Sequence, residues 1–138
     1  MRRLIVIDAS VMANLVGDDG DSGRIARARS SSDTQWAAPD LVDAETTAVL
    51  RKRWRAGDLT ARRFKAAVDD LLSLPMLRVP TGPLMPRAYD LRANATPYDA
   101  AYVALAESLG CTLLTADARL SRAPGIRCRV DVLSIERS

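Results

Sequence analysis

The sequence has no histidine, only two cysteines, two lysines and a single phenylalanine. Without imidazole it lacks the general acid and base on which metal-free ribonucleases and triad hydrolases commonly depend, so any hydrolysis must use carboxylates or a metal. Cys111 and Cys128 lie 17 positions apart and cannot supply the four nitrogen and sulfur ligands of the usual zinc site; they are expected to be reduced core residues. No stretch approaches the roughly 20 uninterrupted apolar residues of a membrane-spanning helix. The opening Leu4-Ile5-Val6-Ile7 is interrupted by Asp8 after four apolar residues, too few for a signal peptide, and reads as a buried first strand. A soluble, cytoplasmic protein is expected.

What is present fits one globular domain over residues 1–138, with 48% hydrophobic and 27% charged residues. The 20 basic residues, 18 of them arginine, exceed the 17 acids and give a net charge of +3. If four acids are gathered into one site, the remaining surface carries 13 acids against 20 bases, or +7, which suits a polyanionic substrate or an acidic protein partner. An arginine-rich, alanine-rich composition also follows from a GC-rich coding bias, so charge alone decides little.

Short apolar runs alternate with helical patterns, and no repeat or linker divides them. This alternation predicts a parallel sheet with helices on both faces. Strands are expected at Leu4 to Ile7, Gln35 to Ala38, Met76 to Val79, Thr112 to Leu114 and Arg129 to Leu133. Helices are expected through Val11, Leu15 and Val16, from Ser22 to Arg29, from Leu41 to Ala56 (opened by Pro39-Asp40), from Thr60 to Leu74 and from Arg87 to Ala93. Pro80 to Pro86 reads as a broken turn. The clearest helix begins with Thr96 as cap and Pro97 in its first position and stops at Gly110.

Four acids fall at one edge of this arrangement. Asp8 and Asp117 directly follow strands, while Glu45 and Asp99 lie in early helical turns; in open α/β sheets ligands bind beyond the carboxyl ends of the strands. Like charges about 4 Å apart repel by about 4 kcal/mol near a protein surface. Cations relieve that repulsion, and oxygen donors without histidine or cysteine select Mg²⁺, for which Mn²⁺ can substitute. Phosphodiester hydrolysis is the natural chemistry of such a site. Each acid also has a purely structural reading. Thr96-Pro97-Tyr98-Asp99 matches a capping box, Asp8 and Asp117 can cap the turns that follow them, and Glu45 can be simply solvated. Only their joint placement favours function.

Read in order, these segments resemble the PIN-domain nucleases and, within them, the VapC-type toxins of bacterial toxin–antitoxin pairs. Ile7-Asp8-Ala9-Ser10 is similar to the first motif of that family, Pro39-Asp40-Leu41-Val42-Asp43-Ala44-Glu45 to the second, Thr96 to Glu107 to the third and Leu113 to Leu120 to the fourth. The resemblance covers nearly the whole chain. It implies a three-layer α/β/α fold with a central parallel sheet, Asp8 and Asp99 as principal Mg²⁺ ligands, and Glu45 and Asp117 completing the acidic site. Ser10 and Thr115 are candidate supports for it, or turn and cap residues. The resemblance further implies a metal-dependent endoribonuclease acting on structured RNA such as tRNA or rRNA, a VapB-like antitoxin and a homodimer. One departure stands out: some family members carry a further acid just after the fourth motif, where this chain has Ala118, Arg119 and Leu120.

Arg51-Lys52-Arg53-Trp54-Arg55 and Arg62-Arg63-Phe64-Lys65 offer cations that could track phosphates. Trp54 and Phe64 are expected to pack between helices or against an antitoxin helix, and Trp36 to lie in the core. The main alternative is a catalytically weak PIN module that binds RNA or protein. A phosphoacceptor signalling domain is disfavoured because Lys52 and Lys65, the only lysines, both fall in helices. A nuclease for branched DNA is disfavoured by the absence of inserted clamp segments.

Overall fold

Strands buried on both faces of a parallel sheet need continuous apolar runs rather than alternation, and Leu4 to Ile7 is such a run. In the computed structural model, which describes residues 3–133, it forms β1 (Arg3–Ile7) at the centre of one sheet. Among the described residues the sheet has four further strands, β2 (Thr34–Pro39), β3 (Met76–Val79), β4 (Thr112–Thr115) and β5 (Val130–Val132), in the order β3-β2-β1-β4-β5. All pairings are parallel, with Val6 opposite Ala37 on one side and Leu113 on the other. Val6, Ile7, Ala37, Ala38, Leu113 and Leu114 are wholly buried and form the middle of the core.

Helices cover both faces. On one lie α1 (Ala9–Gly17), α2 (Asp21–Ala28), α3 (Val42–Arg55) and α4 (Ala61–Ser73), with α1 packed against the other three. On the other, α5 (Met85–Asp90) packs on α6 (Pro97–Leu109), which lies across β1, β2 and β4; a short α7 (Ala118–Ser121) joins β4 to β5. The result is the three-layer α/β/α architecture. Every residue of α6 from Ala100 to Ala106 is buried, so its alanines let the helix approach the sheet closely. Thr96 caps it, Pro97 takes its first position, and Gly110 ends it in the left-handed conformation (φ 63°) that glycine adopts without steric cost.

Most expected elements recur within one or two residues. Asp40, however, does not open α3. Its Oδ1 accepts from the Thr81 N–H (3.1 Å) and hydroxyl (2.6 Å), leaving Leu41 at the helix start with no side-chain cap. The helix expected from Arg87 starts at Met85, because Pro86 fits the first turn, where its missing N–H has no intrahelical partner to lose; a 3₁₀ turn, Gly82–Leu84, precedes it. Trp36 is core, and Trp54 leans on Phe64 between α3 and α4 with ring centroids 6.2 Å apart, though it stays 43% exposed. Both cysteines are free and pack partly buried against the core. Among the described residues no helix is long and apolar enough to cross a membrane.

Candidate active site at the switch point of the sheet

From β1 the chain moves to β2 and β3 on one side and later to β4 and β5 on the other. Connections leaving β1 and β4 therefore diverge and open a crevice at the carboxyl ends of these two strands. Asp8 sits at the end of β1, 7% exposed, with its backbone N–H bonded across to the Leu114 carbonyl (3.1 Å). Its Oδ1 accepts from the Ser10 hydroxyl (2.6 Å) and from the Val11 N–H (3.2 Å), capping α1. Ser10 in turn accepts from the Ala116 N–H (3.0 Å), and the Thr115 hydroxyl accepts from the Asp117 N–H (3.0 Å). Ser10 thus ties the loop after β1 to the loop after β4, and Thr115 closes a turn within the latter.

Glu45 and Asp99 approach from opposite layers. Glu45 lies in the first turns of α3, where its Oε1 accepts the Tyr102 hydroxyl at 2.7 Å. Tyr102 is three residues after Asp99, so both project from one side of α6. Thr96 Oγ1 accepts from the Asp99 N–H (3.1 Å), half of a capping box. Among the described residues the reciprocal bond, from the Thr96 N–H to the Asp99 carboxylate, is not made. The carboxylate is left for other partners.

Three of the acids hold protons more tightly than usual. Burial raises Asp8, against the hydrogen bonds of Ser10, Thr115 and the Val11 N–H, and the charge of Asp99 adds to the rise. Burial also raises Glu45, opposed by Tyr102 and reinforced by the charges of Asp99 and Asp8. Asp99 is raised by burial and then by the charge of Asp117. The pattern is that of a shared negative field. Asp117 behaves oppositely, because hydrogen bonds from Arg119 hold its carboxyl below the usual range. It caps α7 through the Arg119 N–H (2.9 Å) and is gripped by the Arg119 guanidinium, Nε at 3.2 Å from Oδ1 and Nη2 at 3.0 Å from Oδ2.

A divalent cation suits this donor set chemically, since hard carboxylate oxygens in a field that already favours added positive charge select Mg²⁺ or Mn²⁺. The cage is not ready-made. Among the described residues no three acids converge tightly enough to coordinate an ion together, so water would complete the shell.

Sequence reasoning did not single out Tyr102, and it noted Arg119 only as the absence of an acid. Their spacing from Asp99 and Asp117 was the available signal. Two arginines of the expected basic patches have structural duties: Arg53 bonds Asn14 (2.7 Å), and Arg63 bonds Asp19 (3.0 Å) and the Val16 carbonyl (3.0 Å). Arg51 to Arg55 also lie about 9–15 Å along α3 from Glu45 at 1.5 Å per residue, well away from the acidic crevice.

Comparison with known proteins agrees with this geometry. The PIN domain family model matches residues 5–126. VapC ribonuclease Mb0985 of Mycobacterium bovis is 35% identical over 130 residues, covering 94% of this chain and 98% of that protein. Two solved structures share the fold. VapBC2 from Rickettsia felis, bound to a DNA fragment from its promoter, superposes with a TM-score of 0.68 at 14% identity over 95% of this chain and 99% of that one. Mycobacterium tuberculosis VapC20, a sarcin–ricin loop cleaving toxin, does so with a TM-score of 0.67 at 20% identity over 89% and 96%. A family match of this length, joined by a relative this similar along almost its whole length, means that the chain belongs to the PIN-domain family and stands among its VapC ribonucleases.

Proposed function

We propose that residues 1–138 act as one domain, a Mg²⁺-dependent endoribonuclease that hydrolyses phosphodiester bonds in structured RNA. The observation that carries this reading is the gathering of Asp8, Glu45 and Asp99 at the switch point, where burial raises all three and the charge of Asp99 adds to the rise of Asp8 and Glu45. Three carboxylates kept in conflict are costly to a fold and useful to a cation site. Asp8 and Asp99 hold the cation, and Glu45 and Asp117 complete the acidic rim. Bound there, the cation supplies a polarised phosphoryl oxygen and a water of lowered pKa.

The protein's own residues do the rest. Ser10 fixes the rotamer of Asp8, and Thr115 holds the turn that carries Asp117, much as outer partners orient metal ligands. Tyr102 pins Glu45 through Oε1, leaving Oε2 to accept a proton from the attacking water, and its raised proton affinity brings it closer to the operating pH of a general base. The likeness to VapC ribonucleases supports a cytoplasmic toxin held in check by a VapB-like antitoxin, with a homodimer as the assembled form. The half-exposed Trp54 beside Phe64 offers an aromatic surface to an antitoxin helix.

A second reading, an RNA- or protein-binding module with weak catalysis, is favoured by the absence of a ready-made cage among the described residues. One experiment separates the two: incubate a mixed pool of structured RNAs with antitoxin-free protein in Mg²⁺, Mn²⁺ or EDTA, beside the Asp99→Asn variant. Discrete products that need metal, and fall by about a hundredfold or more in a variant melting within a few degrees of wild type, are expected. Bound but uncut RNA in every metal would establish the binding module instead.

A further inference from the structure

The fourth motif carries an arginine where a second cation-binding acid would be useful. Arg119 is 85% exposed, yet its guanidinium makes a two-point contact with Asp117, and its charge also reaches Asp99. An exposed pair of this kind contributes little stability, so it opens readily when a better anion arrives. Arg119 also lines a cavity of about 260 Å³ together with Asn94, Thr96, Asp99, Asp117 and Leu120. Two of the four site acids, Asp99 and Asp117, thus share that cavity with Arg119. A planar guanidinium matches the paired oxygens of a phosphate as well as those of a carboxylate. A cation at this mouth therefore has two competing anions within reach of one side chain: its own Asp117 in the resting site, and an incoming RNA phosphate.

We propose that Arg119 stands in for a second metal ion, parked on Asp117 while the site is empty and transferred to the non-bridging oxygens of the RNA phosphate when substrate enters. The inference rests on the nuclease reading above and adds to it a phosphate-binding residue and a count of one divalent ion per chain. Asp117 then serves as the resting seat of the arginine and, once released, as part of the acidic rim. No bond is made or broken in the transfer; one ion pair is exchanged for another.

Two binding measurements on the full chain test this without relying on turnover. The first is the affinity of a 2′-O-methylated, uncleavable structured RNA, followed by fluorescence anisotropy across a salt series in EDTA and in Mg²⁺. The second is Mn²⁺ stoichiometry by titration calorimetry. For Arg119→Gln we expect binding weakened about tenfold, a salt dependence shallower by about one phosphate contact, and Mn²⁺ bound more tightly or in a second equivalent because Asp117 has lost its partner. Arg119→Lys keeps the charge without the fork and recovers only part of the affinity. Wild-type affinity and salt slope in Arg119→Gln would overturn the proposal, as would two Mn²⁺ ions bound by the wild type. An Asp8→Asn control separates the layers. If it abolishes Mn²⁺ binding while Arg119→Gln changes nothing, the nuclease reading stands and the role of Arg119 falls; if the wild type binds no Mn²⁺ at all, both fall.

Discussion

A buried tyrosine sets how the acidic crevice is wired. Tyr102 is 1% exposed, and burial together with the Glu45 carboxylate pushes its phenol far above the usual range, so it remains a donor at every working pH. Its bond lowers the proton affinity of Glu45 against burial and two neighbouring charges. Tyr102→Phe removes that restraint and leaves the ring packing intact. The expected results are a loss of about 1 kcal/mol in stability, a fall of about tenfold in cleavage, and an acid limb of the pH–rate profile displaced to higher pH because the Glu45 carboxyl rises further. A profile that stays in place, whatever happens to the rate, would show that Tyr102 serves the fold alone. Asp8, Asp99 and Asp117 could be singled out in the sequence because each follows a recognisable strand or cap signal, and Glu45 because it falls early in a helical pattern. Tyr102 could not be, since an aromatic on an otherwise apolar helix face looks like packing until its hydroxyl is seen to find a carboxylate 57 positions away.

Elements meet most tightly where α2 folds back on the end of α1. A Cβ added to Gly23 would lie 1.8 Å from the Asp18 carbonyl oxygen, which is backbone and cannot swing aside. Arg27 reinforces the contact by donating to the carbonyls of Asp18 (2.8 Å) and Leu15 (3.3 Å), satisfying acceptors that the end of α1 leaves open. Gly23→Ala should force α2 outward and lower stability by about 1–3 kcal/mol, seen as a melting temperature reduced by roughly 5–10 °C in circular dichroism. An unchanged melt would mean that α2 moves freely against α1. The sequence alone could not show this closeness, because Gly23 sits inside a good helical pattern and gives no local signal. By contrast α6 was legible end to end, since Thr96, Pro97 and Gly110 are local signals that need no tertiary partner. The start of α3 was not, because the bond from Thr81 to Asp40 spans 41 positions.

At the scale of the whole molecule, alternating apolar runs and helical patterns were enough to foresee a parallel sheet, whereas the order β3-β2-β1-β4-β5 depends on which strands bury each other and is not written in any local run. That order makes the crevice, and the crevice concentrates negative charge inside a protein whose net charge is +3. The conflict has a measurable signature because no histidine is present to obscure it. Above the ordinary carboxylate range the elevated carboxyls of Asp8, Glu45 and Asp99 are the side chains expected to titrate. Their folded-state values lie above the ordinary 3.8 of Asp8 and Asp99 and 4.5 of Glu45. The native state therefore binds more protons than the unfolded chain in this window, and stability falls as pH rises through it. Asp19, Glu107 and Asp117 have the opposite sign, being held low by Arg63, Arg87 and Arg119, and their contribution is lost only as pH falls below the ordinary carboxylate range. In EDTA the melting temperature should thus climb when pH is lowered from 7 to 5. Adding millimolar Mg²⁺ should raise it at pH 7 far more than at pH 5, because the cation binds the deprotonated acids that destabilise the empty site. Asp8→Asn should flatten both responses. A melting temperature in EDTA that is level or falls toward pH 5, with no gain from Mg²⁺ at pH 7, would mean that the acids are not in conflict and that the crevice has no use for a cation.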